Sequence, residues 1–227
     1  MFQTIVKIFL LVIITAAITP FIRKLAFVLG AVDNPNARRI NKKPMPTIGG
    51  LAIFVAFNIG EFVLLRKDFP THELFSVLLA SSVIILTGLI DDILELKPRQ
   101  KMFGIFVASL VVYFLAGIKV RELSLPFLGH IQLGWWSFPL TIFWILALTN
   151  AVNLIDGLDG LATGVTLISL VTMGIVGFFF LKSWQHYVPI MCIMLAACLL
   201  GFLPYNFHPA KIFLGDTGAL YIGFMIS

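Results

Sequence analysis

The stretch NAVNLIDGLDGLATG (150–164) decides how this chain is read. It separates the apolar runs LTIFWILAL (140–148) and VTLISLVTMGIVGFFFL (165–181), yet it carries two carboxylates, two asparagines and three glycines. Asn150, Asn153, Asp156 and Asp159 recur at every third position. On an α-helix a step of three turns a side chain by about −60°, so Asn153, Asp156 and Asp159 would cover about a third of the circumference. Gly157 and Gly160 favour a tight turn over an unbroken helix, with backbone that can approach a ligand closely. Either way one short segment gathers amide oxygens and carboxylates, a set suited to a hard divalent cation and to polar substrate groups.

Working outward, the rest of the chain is a membrane sequence. Of its 227 residues 59% are hydrophobic and 12% charged, and the mean hydropathy is +1.02. Soluble domains are roughly 45–50% apolar and about 25% charged. Apolar stretches near 5–29, 48–65, 74–90, 102–118, 135–152, 161–181 and 187–204 are candidate spans, and an eighth starts at Thr217 and stops at Ser227. The expectation is an all-α, polytopic transmembrane bundle of about eight spans with the last incomplete, forming one domain over 1–227. The first span is too long for the h-region of a signal peptide. Cys192 and Cys198 lie six apart in one apolar run and read as buried thiols, not as a disulfide framework. Around Leu128-Gly129-His130 the pattern alternates, which predicts a small hairpin on the outer face, anchored by Trp135 and Trp136. His72, His130 and His186 read as ordinary loop histidines on that side.

Lysine and arginine bias sets orientation. The odd-numbered connections, with Arg23 and Lys24, hold Arg38, Arg39, Lys42, Lys43, Lys97, Arg99, Lys101 and Lys211, ten of the sixteen basic residues. Those loops are therefore assigned to the cytoplasm. Asp33, Asp91, Asp92, Glu95, Asp156, Asp159 and Asp216 fall on the same side, while Glu61, Asp68, Glu73 and Glu122 fall outside or near it. Acids contribute little to orientation, so their clustering calls for a chemical reason.

Two more segments supply one. In GLIDDILELKPRQK (88–101), Asp91 and Asp92 sit at the C-terminal pole of the third span. The macrodipole there disfavours carboxylates, so the pair needs a compensating cation: a metal ion, or Lys97, Arg99 or Lys101. In PYNFHPAKIFLGDTGALYIG (204–223), Asp216 is placed as the N-cap of the eighth span. Asn206 and His208 precede it, Lys211 is a phosphate-binding candidate, and Phe213 is placed to stack on a base. Spans 2, 4, 6 and 8 would point their N-termini, which favour anions, at the same face. Lys42 and Lys43 lie just before one of them, at MPTIGGLA (45–52). Carboxylates, helix N-termini and lysines together suit a diphosphate neutralised by Mg²⁺.

Four blocks, KKPMPTIGG (42–50), GLIDDILELKPRQK (88–101), NAVNLIDGLDGLATG (150–164) and NFHPAKIFLGDTGAL (206–220), resemble those of the polyprenyl-phosphate N-acetylhexosamine-1-phosphate transferases, in the same order. The isoleucine of NLIDGLDG and the wording LKPRQK look closer to the branch acting on UDP-N-acetylglucosamine than to the phospho-MurNAc-pentapeptide branch. The resemblance implies transfer of GlcNAc-1-phosphate from UDP-GlcNAc to undecaprenyl phosphate, with UMP leaving, as an early step of cell-wall or surface-polysaccharide synthesis. It implies Mg²⁺, with Mn²⁺ as a substitute. Asp216 looks like the principal metal ligand with Asn153 beside it, and Asp91 like the base on the lipid phosphate, supported by Asp92. Asp156 looks like a third catalytic carboxylate that belongs, with Asp159, to the donor site. Lys42, Asn153, Asn206, Lys211 and Phe213 complete the substrate-binding set. The site would face the cytoplasm at the cell membrane, a homodimer is left open, and nucleic acid has no place. Family members continue past residue 227 into a loop bearing histidine and arginine, which implies that part of the sugar-reading surface lies outside this sequence.

Three other readings compete. A cation-coupled transporter would carry charge within its spans, whereas the acids here sit at helix ends. The CDP-alcohol phosphotransferases also have acidic DG-rich helices, but need Ala-Arg after Asp-Gly-x-x where Asp159-Gly160 is followed by Leu-Ala-Thr-Gly. A non-catalytic membrane protein is the third.

Overall fold

The computed structural model describes residues 2–35, 43–64, 66, 71–125, 129–180 and 187–227. Eight α-helices dominate: α1 (Phe2–Leu29), α2 (Gly50–Ile59), α3 (Thr71–Leu94), α4 (Pro98–Val111), α5 (Ser137–Ile155), α6 (Leu161–Phe180), α7 (Tyr187–Asn206) and α8 (Gly215–Ile226). Single π turns, Gly60–Leu64 and Val112–Ala116, extend α2 and α4. Among the described residues six segments are long and apolar enough to cross a membrane: Ile5–Leu29, Leu74–Leu94, Pro98–Ala116, Gly134–Ile155, Leu161–Phe180 and Tyr187–Asn206. The all-α polytopic bundle is as expected. The second candidate resolves into a shorter apolar helix, Gly50–Val63, and α8 has 12 residues.

Two short antiparallel pairs complete the fold. The expected hairpin is present as β3 (Glu122–Leu125) against β4 (Gly129–Gln132), and Trp135 beyond it is 97% exposed. Unforeseen in the sequence is β1 (Val32–Asp33) paired with β2 (Met45–Pro46). This ladder carries the 213–214 segment: Phe213 N–H donates to the Pro46 carbonyl at 2.8 Å, and Gly49 N–H to the Phe213 carbonyl at 3.1 Å. Glu61, expected toward the outer side, is buried within the first π turn. Both cysteines are buried and unpaired, as read from sequence.

Helix α8 is the axis of the bundle, packed against α2, α3 and α5, and every residue from Thr217 to Phe224 is buried. Between lipid-facing helices there is no hydrophobic drive to associate, so close backbone approach through small residues does the packing. A Cβ on Gly50 would lie 2.1 Å from Gly218 Cα, and one on Gly88 would lie 2.5 Å from Thr217 Cα. These glycines set how near α2 and α3 come to the start of α8. Large apolar side chains cover the outside, among them Leu154, Phe179 and Val28.

Gly215 opens α8 with φ +71°, and a Cβ there would stand 1.6 Å from the Thr47 carbonyl oxygen. Neither the left-handed backbone nor the contact tolerates a side chain. Gly157, by contrast, has open space where its Cβ would go. Gly215→Ala is therefore expected to lower the melting midpoint of detergent-purified protein well below that of Gly157→Ala. Equal shifts in the two variants would contradict this account of the α8 start.

Candidate active site

The site is built where four connections meet. The α5–α6 turn, the ends of α3 and α4, the 206–216 segment and the β1–β2 ladder enclose a cavity of about 760 Å³, within the usual range for a small-molecule site. Its wall includes Asp33, Asp91, Asp92, Glu95, Asp156, Asp159 and Asp216, and Lys101 is its one cationic side chain among the described residues. These are the seven acids that the charge pattern sorts to a single side of the membrane.

The every-third-residue pattern of the opening stretch is distributed, not presented on one face. Helix α5 runs through Ile155 and stops at Asp156 (φ −74°, ψ 53°), and Gly160 at φ +72° turns the chain into α6. Asn150, a turn deeper, donates from Nδ2 to Met102 Sδ at 2.9 Å and does not line the cavity. Asn153 Nδ2 donates to Asp216 Oδ1 at 2.5 Å. Asp159 Oδ2 accepts from the Ala210 N–H at 3.1 Å and contacts His208 Nδ1 at 3.0 Å, tying the α5–α6 turn to the loop before α8.

The two adjacent aspartates have different tasks. Asp91 is 5% exposed. It closes the α3 end by accepting from the Leu96 N–H at 2.7 Å through Oδ1, and its Oδ2 lies 2.5 Å from Lys101 Nζ. Asp92 is the cap that α8 otherwise lacks. Its Oδ1 accepts from the Asp216 N–H at 3.0 Å, and its Oδ2 from the Thr217 N–H at 2.9 Å and Thr217 Oγ1 at 2.5 Å. This corrects one expectation. Asp216 is not the N-cap of α8 but sits inside its first turn, with its side chain left for the cavity. Asp92, expected as a support to Asp91, has its carboxylate engaged in holding the start of α8, and through it the position of Asp216.

The helix N-termini are likewise less open than expected. That of α2 is stoppered by the Phe213 and Leu214 carbonyls, which accept from Gly49 and Gly50 N–H at 3.1 and 3.0 Å. That of α8 is filled by Asp92. A buried N-terminus must find acceptors, and the fold supplies them internally.

Lys101 is the residue the sequence reading left in the background, as one of three possible partners for the acids. The tight α3–α4 turn returns it to Asp91: Lys97 N–H donates to Gln100 Oε1 at 2.9 Å, Pro98 starts α4, and Lys101 follows one turn in. Its Nζ bridges Asp91 Oδ2 and Asp216 Oδ1, at 2.5 and 2.7 Å. A lysine one helical turn beyond a sharp turn, returning toward an Asp-Asp pair, is the signal that could have singled it out.

The remaining expected residues fall unevenly. Phe213 lines the cavity and is half-buried, with its backbone held by the ladder. Asn206 also lines it, but its amide serves the framework: Thr163 Oγ1 donates to Oδ1 at 2.7 Å, and Nδ2 donates to the Ile212 carbonyl at 3.2 Å. Lys211 is not in the wall. It is exposed, 6.0 Å from the centre of the Tyr205 ring, because the loop folds back and bonds Lys211 N–H to the Tyr205 carbonyl at 2.8 Å. Lys42 lies outside the described residues, and Lys43 is exposed.

Asp156 stands apart. Among the described residues its carboxylate has no hydrogen bond or ion pair. Burial, and then the charges of Asp216 and Asp159, push its carboxyl from an ordinary 3.8 up to about 7. Between those values the folded chain holds a proton that the unfolded chain has lost, so stability falls as pH rises from 3.8 to about 7, and the full penalty persists above. Asp156→Asn is thus expected to raise the melting midpoint of metal-free protein at pH 8 and to leave it nearly unchanged at pH 4. A lower midpoint at pH 8 would contradict the sign.

The donor set suits Mg²⁺ or Mn²⁺. It is all hard oxygen, with carboxylates far outnumbering the one ammonium. Among the described residues no three His, Cys, Asp or Glu side chains form a ready cage. That fits an ion held by one or two carboxylates, with phosphate and water oxygens completing its shell. Asp216, with Asn153 beside it, is one carboxylate of the wall that could hold such an ion.

Comparison with known proteins shows the family. The family model described as glycosyl transferase family 4 matches residues 74–227. A probable undecaprenyl-phosphate N-acetylglucosaminyl 1-phosphate transferase of Bacillus subtilis is 40% identical over 92% of this chain and 57% of its own length. A phospho-N-acetylmuramoyl-pentapeptide-transferase of Clostridium botulinum is 36% identical over 90% of this chain and 64% of its own. A decaprenyl-phosphate N-acetylglucosaminephosphotransferase of Mycolicibacterium smegmatis is 35% identical over 94% and 56% respectively. The chain thus spans less than two thirds of the length of these relatives. The family model and these matches place it together with them: this multi-pass membrane chain belongs to glycosyl transferase family 4.

Proposed function

We propose that this protein transfers N-acetylglucosamine-1-phosphate from UDP-GlcNAc to undecaprenyl phosphate, releasing UMP, at a Mg²⁺-dependent site on the cytoplasmic face. The observation that carries the reading is the Asp91–Lys101–Asp216 bridge inside a cavity walled by seven carboxylates. Such a wall repels a diphosphate unless a cation accompanies it. A divalent ion held by these carboxylates would neutralise the donor diphosphate and the charge that develops as the phosphoryl group is transferred.

This chain's own residues do the rest. Asp216 holds the ion's position, itself held by Asp92. Phe213, at the cavity wall on a fixed backbone, offers a face for the uracil. For the proton acceptor on the lipid phosphate we favour Asp156 over Asp91, both in the expected catalytic set. Asp91 has both oxygens engaged, whereas Asp156 has no partner among the described residues and its carboxyl is pushed up to about 7, where a general base works best near neutral pH. The cytoplasmic assignment is supported by the basic residues on the cavity side, and the choice of GlcNAc by the names of the Bacillus and Mycolicibacterium relatives. A phospho-MurNAc-pentapeptide donor is the second reading, in line with the Clostridium relative.

The test uses detergent-purified protein, undecaprenyl phosphate, and radiolabelled UDP-GlcNAc or UDP-MurNAc-pentapeptide in parallel. The expected result is Mg²⁺-dependent lipid-linked label and UMP release with UDP-GlcNAc. Label only from the pentapeptide donor would replace the sugar assignment, and label from neither would remove the activity.

A further inference from the structure

Asp216 Oδ1 already accepts from two donors, Lys101 Nζ at 2.7 Å and Asn153 Nδ2 at 2.5 Å. The same ammonium lies 2.5 Å from Asp91 Oδ2, and the Lys101 side chain is 18% exposed. A divalent ion bound to that oxygen at about 2.1 Å would need the lone pairs these donors use. It would also stand beside a second positive charge in a partly buried site, where screening is weak. Asn153 presents its NH₂ group to the carboxylate, the only orientation that a carboxylate accepts. To bind a cation it must present its carbonyl oxygen instead.

We propose that Lys101 is the resident counter-ion of the Asp91–Asp216 pair and competes directly with the divalent metal. Metal binding drives Nζ off Asp216 Oδ1 and turns the Asn153 amide over, so that its oxygen faces the ion. The proposal rests on the reading of Asp216 as the metal ligand. It makes Lys101 a positioning residue that keeps the carboxylates apart from one another's charge while no metal is bound. It also weakens the site for free metal. A diphosphate arriving with the metal offers the displaced ammonium a new anionic seat, so ion and donor favour each other's binding.

The experiment is Mn²⁺ binding to detergent-purified protein without substrate, read from the free-ion electron paramagnetic resonance signal. Lys101→Met is expected to bind Mn²⁺ at least about tenfold more tightly than the unmodified protein, the direction required when a competing charge leaves. Arg99→Gln, which removes an exposed charge from the same helix turn without touching the site, is expected to stay within about twofold. Equal or weaker binding by Lys101→Met overturns the exchange, and so does an equal gain from Arg99→Gln. No Mn²⁺ binding by any of the three removes the metal reading itself. A second measurement needs no variant. Acetylation of Lys101 relative to Lys97, followed by mass spectrometry on the unmodified protein, is expected to rise several-fold when Mn²⁺ is added. An unchanged ratio in protein that binds Mn²⁺ overturns the displacement.

Discussion

Asp216→Asn is expected to reduce Mg²⁺-dependent transfer by about a thousand-fold, with little loss of folded protein. Asparagine keeps the shape of the side chain but removes the charge that would hold a divalent ion. The backbone of residue 216 remains bonded to Asp92 Oδ1 at 3.0 Å, so α8 keeps its place. The Lys101 contact to residue 216 is weakened while that to Asp91 Oδ2 remains, and one of seven crowded carboxylates is neutralised. Those two changes oppose each other in stability. The checks are turnover across a Mg²⁺ titration and melting in detergent. A variant that keeps full Mg²⁺-dependent turnover would remove Asp216 from the metal site.

Asp92→Ala is expected to destabilise the protein by roughly 3–5 kcal/mol, from losing a charged cap and leaving buried N–H groups without an acceptor. Asp216 N–H, Thr217 N–H and Thr217 Oγ1 all depend on this one carboxylate. Thr217 is fully buried, so water is not at hand to replace it. Asp92→Asn keeps one acceptor oxygen and turns an amide NH₂ toward the other donors. The expected order of melting midpoints is therefore unmodified protein, then Asp92→Asn, then Asp92→Ala. Turnover should fall in the same order, because Asp216 loses its support. If Asp92 were the base, Asp92→Asn would instead abolish turnover with melting unchanged. Full thermal stability in Asp92→Ala would refute the capping role.

Much of this protein was legible in its sequence, because the signals are local. A run of about 20 apolar residues in a membrane can satisfy its backbone only as a helix, so most of α1 to α8 can be read from composition. Charge sorting works the same way. It assigned Asp33, Asp91, Asp92, Glu95, Asp156, Asp159 and Asp216 to one side, and the fold gathers all seven around one cavity. The break in NAVNLIDGLDGLATG after Ile155 follows from Gly157 and Gly160.

What each polar group does there was decided by tertiary structure alone. The identity of Asp91 and Asp92 marks two carboxylates at a helix end. Only the closeness of α3 to α8, set by Gly88 against Thr217, makes one a cap and leaves the other facing Lys101. The α2 and α8 N-termini look like anion sites in a linear pattern, yet in the bundle their N–H groups meet carbonyls and a carboxylate from segments far away in the chain. Lys211 reads as a phosphate ligand until the loop folds back on Tyr205. The physical reason is common to all of these. Hydrogen bonding and ion pairing act over about 3 Å, and contacts that short between residues as distant as Asp92 and Thr217 are set by helix packing, which no local pattern encodes.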